Sequence, residues 1–177
     1  MASQQFKSTR GGGLLTFREA LMSGYASDGG LIMPASIPLV DRATLELWRP
    51  LGFAGVAAAV LGLFIAEAEV PRDTLVGLLA RACARFDVPE VIPVVAVPRA
   101  TEGAAPMFIA EMWHGPTLAF KDIGMQVIGG LLDHFLRASG KHVSLVVRGW
   151  RACVAPPPRV MCCFAGGHER RHRERCH

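Results

Sequence analysis

The apolar positions of this chain change their spacing near residue 90, and that change restricts the folds open to it. Before it, Phe17, Ala20 and Leu21, and then Leu75, Leu78, Leu79 and Phe86, recur at the three- and four-residue intervals of amphipathic helices. After it, Val94 to Val97 and Met107 to Met112 are short β-rich runs bounded by Pro98, Gly103 and Pro106. A further helical pattern runs from about Thr117 to Arg137, with Ile123, Val127, Ile128, Leu131, Leu132 and Phe135 on its inner side. Gly140 ends it, and His142 to Val147 reads as a buried strand. Strand, helix, strand is the start of an α/β unit, so the spacing predicts a helical first region followed by an α/β second one. No internal repeat of solenoid length is present.

Local punctuation supports four helices by residue 86, a small bundle-like unit. Thr16 and Glu19 form a capping-box pair, and Gly24 closes the helix they open. Asp41 caps a helix running to Trp48, before Pro50, and Pro71 with Asp73 opens another. Between those two, Leu51 to Ala66 is an uncharged apolar run of sixteen residues with Val56, Ala57, Val60, Leu61, Phe64 and Ile65 at helical spacing. It reads as a buried helix, being shorter than the roughly eighteen residues expected of a membrane span. Asp28-Gly29-Gly30 is a turn signal in which Gly29 or Gly30 takes positive φ. Gly11-Gly12-Gly13 lacks the lysine and hydroxyl that follow a phosphate-binding loop and reads as a flexible turn.

The formal charge of +4 is unevenly placed. Residues 148–177 hold seven arginines against two glutamates, a balance of +5, which leaves −1 for residues 1–147. The same thirty residues contain four of the five cysteines, three of the six histidines and Pro156-Pro157-Pro158. Such a break marks a divergent segment, and the expectation is a disordered basic tail. Cys162, Cys163, His168, His172, Cys176 and His177 do not match the ligand spacing of a standard zinc finger, so no metal site is assigned. The arginines at 170, 171, 173 and 175 lack interleaved aromatics, so the run reads as solvated tail and no nucleic-acid partner is expected. Cysteine scarcity before residue 148 suits a reducing compartment. The polar, glycine-rich stretch from Met1 to Gly13 shows no secretory signal, so a cytoplasmic or mitochondrial protein is expected.

Only three lysines occur, and Lys121 stands in the apolar run His114-Gly115-Pro116-Thr117-Leu118-Ala119-Phe120-Lys121-Asp122. A lysine held against apolar neighbours loses hydration of its ammonium form, which lowers its pKa and frees the neutral amine to attack carbonyls. Gly115-Pro116-Thr117 reads as a turn with a helix N-cap, placing Lys121 in the first turn of the helix, whose positive end pushes the same way while Asp122 opposes it. A lysine whose stem packs and whose head reaches water is the plainer alternative. His114 is open between a relay or ligand and a packed turn histidine.

This string resembles the lysine motif of threonine synthase and the threonine synthase-like proteins. Ser8-Thr9-Arg10-Gly11, then Phe17, Ala20-Leu21, and Gly24-Tyr25-Ala26-Ser27-Asp28-Gly29-Gly30-Leu31 with Pro34, are similar to the opening of the same family. The resemblance covers about residues 6–147 and is closest to the animal threonine synthase-like members. It implies a helical threonine synthase-type N-terminal domain over 1–88 and the beginning of a fold type II pyridoxal phosphate domain over 89–147. The divergent tail then spans 148–177.

By the same resemblance, pyridoxal 5'-phosphate is held covalently on Lys121, with Phe120 beside its ring, and the substrates are phosphorylated amino acids such as O-phosphohomoserine. Phospho-lyase chemistry releasing 2-oxobutyrate and ammonia is implied for the animal-type relatives, and threonine formation for the synthases. A homodimer is one assembly open to it; no membrane partner is expected. Where the family continues into a serine-, threonine- and glycine-rich loop, this chain has Arg148-Gly149-Trp150-Arg151, and the later phosphate-binding strands are absent. The chain therefore reads as truncated after about residue 147, with residues 148 onward from an alternative exon or a shifted reading frame. It is expected to be inactive alone. The rival reading is a non-catalytic interaction or signalling module.

Overall fold

A computed structural model describes residues 4–98, 103, 105–147 and 160–164. Three short strands, β1 (Phe6–Ser8), β2 (Gly11–Leu15) and β3 (Ile32–Pro34), form an antiparallel sheet in the order β2-β1-β3. The first region is therefore helical plus a small sheet, which corrects the purely helical expectation. Gly11-Gly12-Gly13 is correspondingly the start of β2 and not a free turn, with Gly11 at φ 111° and Gly12 at φ 92°. Strands of three residues are too short to show a period of two, which is why the spacing did not reveal them.

Four helices follow the expected punctuation. Helix α1 (Phe17–Ser23) begins at a complete capping box: Glu19 N–H donates to Thr16 Oγ1, and Thr16 N–H donates to Glu19 Oε2 at 2.8 Å. Its end lies at Gly24, φ 69°. Helix α2 (Arg42–Trp48) starts at Asp41, whose carboxylate accepts from Thr44 N–H at 2.8 Å. Helix α3 (Phe53–Leu61) is shorter than the apolar run that contains it. Its C-cap is Gly62, where the Arg72 guanidinium occupies the space in which a Cβ would stand and donates to the Ala58 and Gly62 carbonyls at 3.4 and 3.3 Å. Helix α4 (Arg72–Cys83) follows, and Phe86 lies beyond its end. Among the described residues no helix is long and apolar enough to cross a membrane.

The chain then passes through Val91, buried and in the left-handed region at φ 63°, a costly conformation for a β-branched residue. Beyond it, β4 (Val94–Val97) and β5 (Met107–Ala110) pair antiparallel. Helix α5 (Lys121–Ser139) opens four residues later than Thr117 and closes at Gly140 in the left-handed conformation, φ 68°.

The main core joins α5 to the earlier helices: Leu131 and Phe135 pack with Ala58, Ile65, Val70, Leu75 and Leu79. Helices α4 and α5 approach closely at Gly130, where an added Cβ would meet Leu78 Cδ2 at 3.4 Å. Phe17 links the small sheet to this core, its ring 5.8 Å from Phe6 and 6.3 Å from Phe135. Leu75, Leu79 and Leu136 are fully buried, each burial stabilising the fold by about 2 kcal/mol. Ile128, expected inside, is 39% exposed; the second inward face of α5 carries Asp122, Gln126, Gly129, Leu132 and Leu136 instead.

Strand β6 (Val143–Val147) pairs in parallel with β7 (Val160–Phe164) in the register Val143 to Val160 through Val147 to Phe164. Five residues of the segment read as a disordered tail thus form a strand. Val160-Met161-Cys162-Cys163-Phe164 is an apolar, β-prone run whose backbone gains ladder bonds beside β6, a local property hidden by the segment's average charge. The arginine cluster and His168, His172, Cys176 and His177 lie outside the described residues. Cys162 and Cys163 fall on β7.

Candidate active site around Lys121

Lys121 is the first residue of α5 and is exposed. Phe120 beside it is 63% exposed and Leu118 62%. The apolar neighbours expected to bury the amine therefore face outward themselves, and the sequence argument from desolvation is corrected. What the structure supplies instead is a rigid presentation of the lysine.

That rigidity is built from the residues flanking Lys121. Asp122 is buried and turns back toward the chain entering the helix: Thr117 N–H donates to Asp122 Oδ2 at 2.8 Å, and Thr117 Oγ1 to Oδ1 at 2.6 Å. Thr117 is thus held by Asp122 and does not cap the helix, whose start at Phe120 has no side-chain cap bond. A carboxylate in the first turn also suits the positive end of a 19-residue helix. Gly115 makes room for this side chain, since a Cβ there would stand 2.5 Å from Asp122 Cβ and Oδ2. Leu118 N–H donates to the Gly115 carbonyl at 3.0 Å, and Leu118 is held at φ 60°. A left-handed leucine persists only where its surroundings over-determine it, and such residues cluster at functional sites.

His114 closes the base of the turn. Its Nδ1 lies 3.0 Å from Asp87 Oδ1 and its Nε2 2.8 Å from Glu111 Oε2, while its carbonyl accepts from Asp87 N–H at 3.0 Å. The Glu111 carboxylate, and then Asp87, hold the imidazole pKa above its usual range, with desolvation opposing them. His114 is therefore a clamped turn histidine. Asp87 carried no signal in the sequence, because an interaction across 27 residues leaves no local pattern, and Glu111, three residues before His114, lies outside any helix that would make that spacing a signal.

The two amino-terminal motifs meet in a second cluster. Ser8 Oγ donates to Asp28 Oδ1 at 2.7 Å and accepts from Arg10 N–H, while Gly30 N–H donates to Asp28 Oδ1 at 2.8 Å. These two donors, the Gly30 amide first, hold the Asp28 carboxyl below the usual carboxylate range. Thr9 pairs with Leu31 through both backbone and hydroxyl, and Arg10 Nη1 donates to the Asp28 carbonyl at 3.1 Å. Gly29 takes the positive φ of 74°, and Gly30 is small because Ser8 Oγ occupies the position of a Cβ. Ser8, Thr9 and Arg10 thus lock β1 to the turn before β3. A pocket of about 210 Å³ opens beside them, lined by Gly11, Gly12, Gly13, Tyr25 and Asp28 among others.

A small sheet and helices thus lead to a lysine presented at a helix start. Residues 5–83 match the family described as the threonine synthase N terminus. Threonine synthase-like 2 of Xenopus laevis is 40% identical over 144 residues, covering 81% of this chain and 29% of that protein. The crystal structure of threonine synthase from yeast superposes with a TM-score of 0.77 at 37% identity, covering 84% of this chain and 31% of that one. The pyridoxal phosphate-bound threonine synthase from Brucella melitensis gives a TM-score of 0.75 at 33% identity, covering 83% and 30%. The chain thus carries the threonine synthase N-terminal region over residues 5–83 and is similar to threonine synthases and threonine synthase-like proteins, under a third of whose length it spans.

Proposed function

We propose that this is a pyridoxal phosphate-dependent threonine synthase-like protein in which Lys121 holds the cofactor and Phe120 flanks it. The substrates are phosphorylated amino acids such as O-phosphohomoserine, and the 177 residues do not complete turnover by themselves. One observation carries the reading: an exposed primary amine stands at the first residue of α5 on a turn fixed by Asp122, Thr117 and Gly115. These residues fit the lysine end of the cofactor, because the amine is accessible and the neighbouring Phe120 is exposed beside it in the chain. When bound, pyridoxal phosphate supplies an electron sink for a carbanion beside the amino-bearing carbon.

Lys121 would hold the aldehyde of the cofactor and, as a free amine, could move a proton at the substrate carbon. Asp122 keeps its carboxylate turned into the Thr117 amide and hydroxyl, away from the amine, so the lysine is aimed outward without an ion-pair partner on that side. The exposed Phe120 ring is the apolar surface assigned to the cofactor's flank. Phosphate capture and substrate recognition are assigned here to residues other than these.

The test is reductive trapping. The purified chain is incubated with pyridoxal phosphate, reduced with borohydride and mapped by peptide mass. Labelling concentrated at Lys121 and abolished in Lys121→Ala and Lys121→Arg is expected, because a guanidinium stays protonated and does not attack the aldehyde. Labelling spread equally over Lys7 and Lys141 would reject the assignment. A second reading, a non-catalytic interaction module, is favoured by the apolar surface of the β4–β5 hairpin, where Val94 is 65% and Met107 and Phe108 each 60% exposed. Absence of preferential labelling at Lys121 selects that reading.

A further inference from the structure

The ring of His114 ties the turn presenting Lys121 to the end of the helical region. The charged groups facing it are Asp87, from the turn that follows α4, and Glu111, from the segment that follows β5. Trp113 lies against it with ring centroids 5.7 Å apart. Each ring nitrogen has a carboxylate oxygen within hydrogen-bond distance. A neutral imidazole carries one N–H and one lone pair, so it satisfies one of these carboxylates and points electron density at the other. Only the doubly protonated ring donates to both.

The clamp transmits directly to the lysine. His114 is followed at once by Gly115, which has no Cβ because Asp122 fills the space, and the Gly115 carbonyl receives Leu118 N–H. Asp122 in turn holds Thr117 and adjoins Lys121. A shift of the His114 backbone therefore displaces a strip that has no slack before α5 begins.

We propose that His114, as an imidazolium held between Asp87 and Glu111, is a pH-sensitive positioning residue that fixes the turn from Gly115 to Phe120 and, through it, the amine of Lys121. The sign follows from the raised imidazole pKa. The clamp's contribution is fully present below the ordinary histidine pKa of about 6.5 and is lost as pH rises through the higher folded-state value. The turn is tight in the acidic to neutral range and loosens on the alkaline side.

Ring-proton NMR and hydrogen exchange on the full chain test this without using the cofactor, so failure here leaves the lysine reading standing and failure of labelling leaves this one. The His114 ring is expected to titrate above about 6.5, and the amides of residues 115–122 to exchange several-fold faster, after correction for chemical rate, over the same interval. Asp87→Asn and Glu111→Gln, which remove one charge each, are each expected to lower that midpoint. His114→Gln is expected to abolish the pH response of residues 115–122 while leaving protection in α3 and α4 unchanged. A midpoint at or below about 6.5, or one unmoved by either carboxylate variant, overturns the proposal. So does a pH response of the turn that survives His114→Gln. If the glutamine variant does not fold, the two carboxylate variants decide the question.

Discussion

A methyl group at position 115 would stand 2.5 Å from both the Cβ and Oδ2 of Asp122. The smallest possible side-chain change there thus reaches the buried carboxylate that orders the start of α5. Gly115→Ala is expected to lower stability by about 1–3 kcal/mol, the usual cost of overpacking. It should also release the Thr117 bonds to Asp122 and weaken borohydride trapping at Lys121. Denaturant melts and peptide mapping on the same sample check both halves, and a neutral effect would show that Asp122 yields easily. Position 118 makes a related point. Leu118 is exposed and left-handed, so its side chain contributes little packing to offset its backbone cost.

At the level of elements, α1 depends on its own first turn, since none of its residues is fully buried and Thr16 and Glu19 satisfy each other's backbone donors. The Thr16 amide, followed by its hydroxyl, holds the Glu19 carboxyl below its usual range. Thr16→Ala is expected to cost about 1 kcal/mol. Exchange should rise first in residues 17–23, and a change confined to other helices would contradict this local account.

The helix starts at Thr16 and Asp41 were legible in the sequence because a cap is a contact over three residues. The end of α3 was not: the side chain that fills the space at its Gly62 cap is Arg72, ten residues further along the chain. The start of α5 was misplaced for a related reason, since the threonine in the motif receives its order from Asp122 instead of providing the cap. Lys121 was singled out by its motif, whereas its exposure and the clamp on His114 depend on residues brought together by the fold. Strand β7 was masked by the arginines and prolines around it, which dominate the composition of the segment but do not lie in the five-residue run.

Across the whole molecule, the region matching the threonine synthase N terminus does not own its core. Leu131 and Phe135 of α5 pack into the cluster formed by Ala58, Ile65, Val70, Leu75 and Leu79. A fragment of residues 1–88 would leave that face uncovered, at about 2 kcal/mol for each large side chain no longer buried. Such a fragment is expected to melt well below the 177-residue chain, or without a cooperative transition, and to bind an apolar dye. Calorimetry of the two proteins side by side checks this, and equal, sharp transitions would mean that α5 is dispensable.

Val91 gives the passage between the regions its mechanical character. A hinge needs a residue with two comfortable resting states. Val91 has its side chain sealed in and its backbone in a basin that β-branched residues avoid, so rotation away from that basin must first pull the side chain out of its packing. The joint therefore behaves as a rivet.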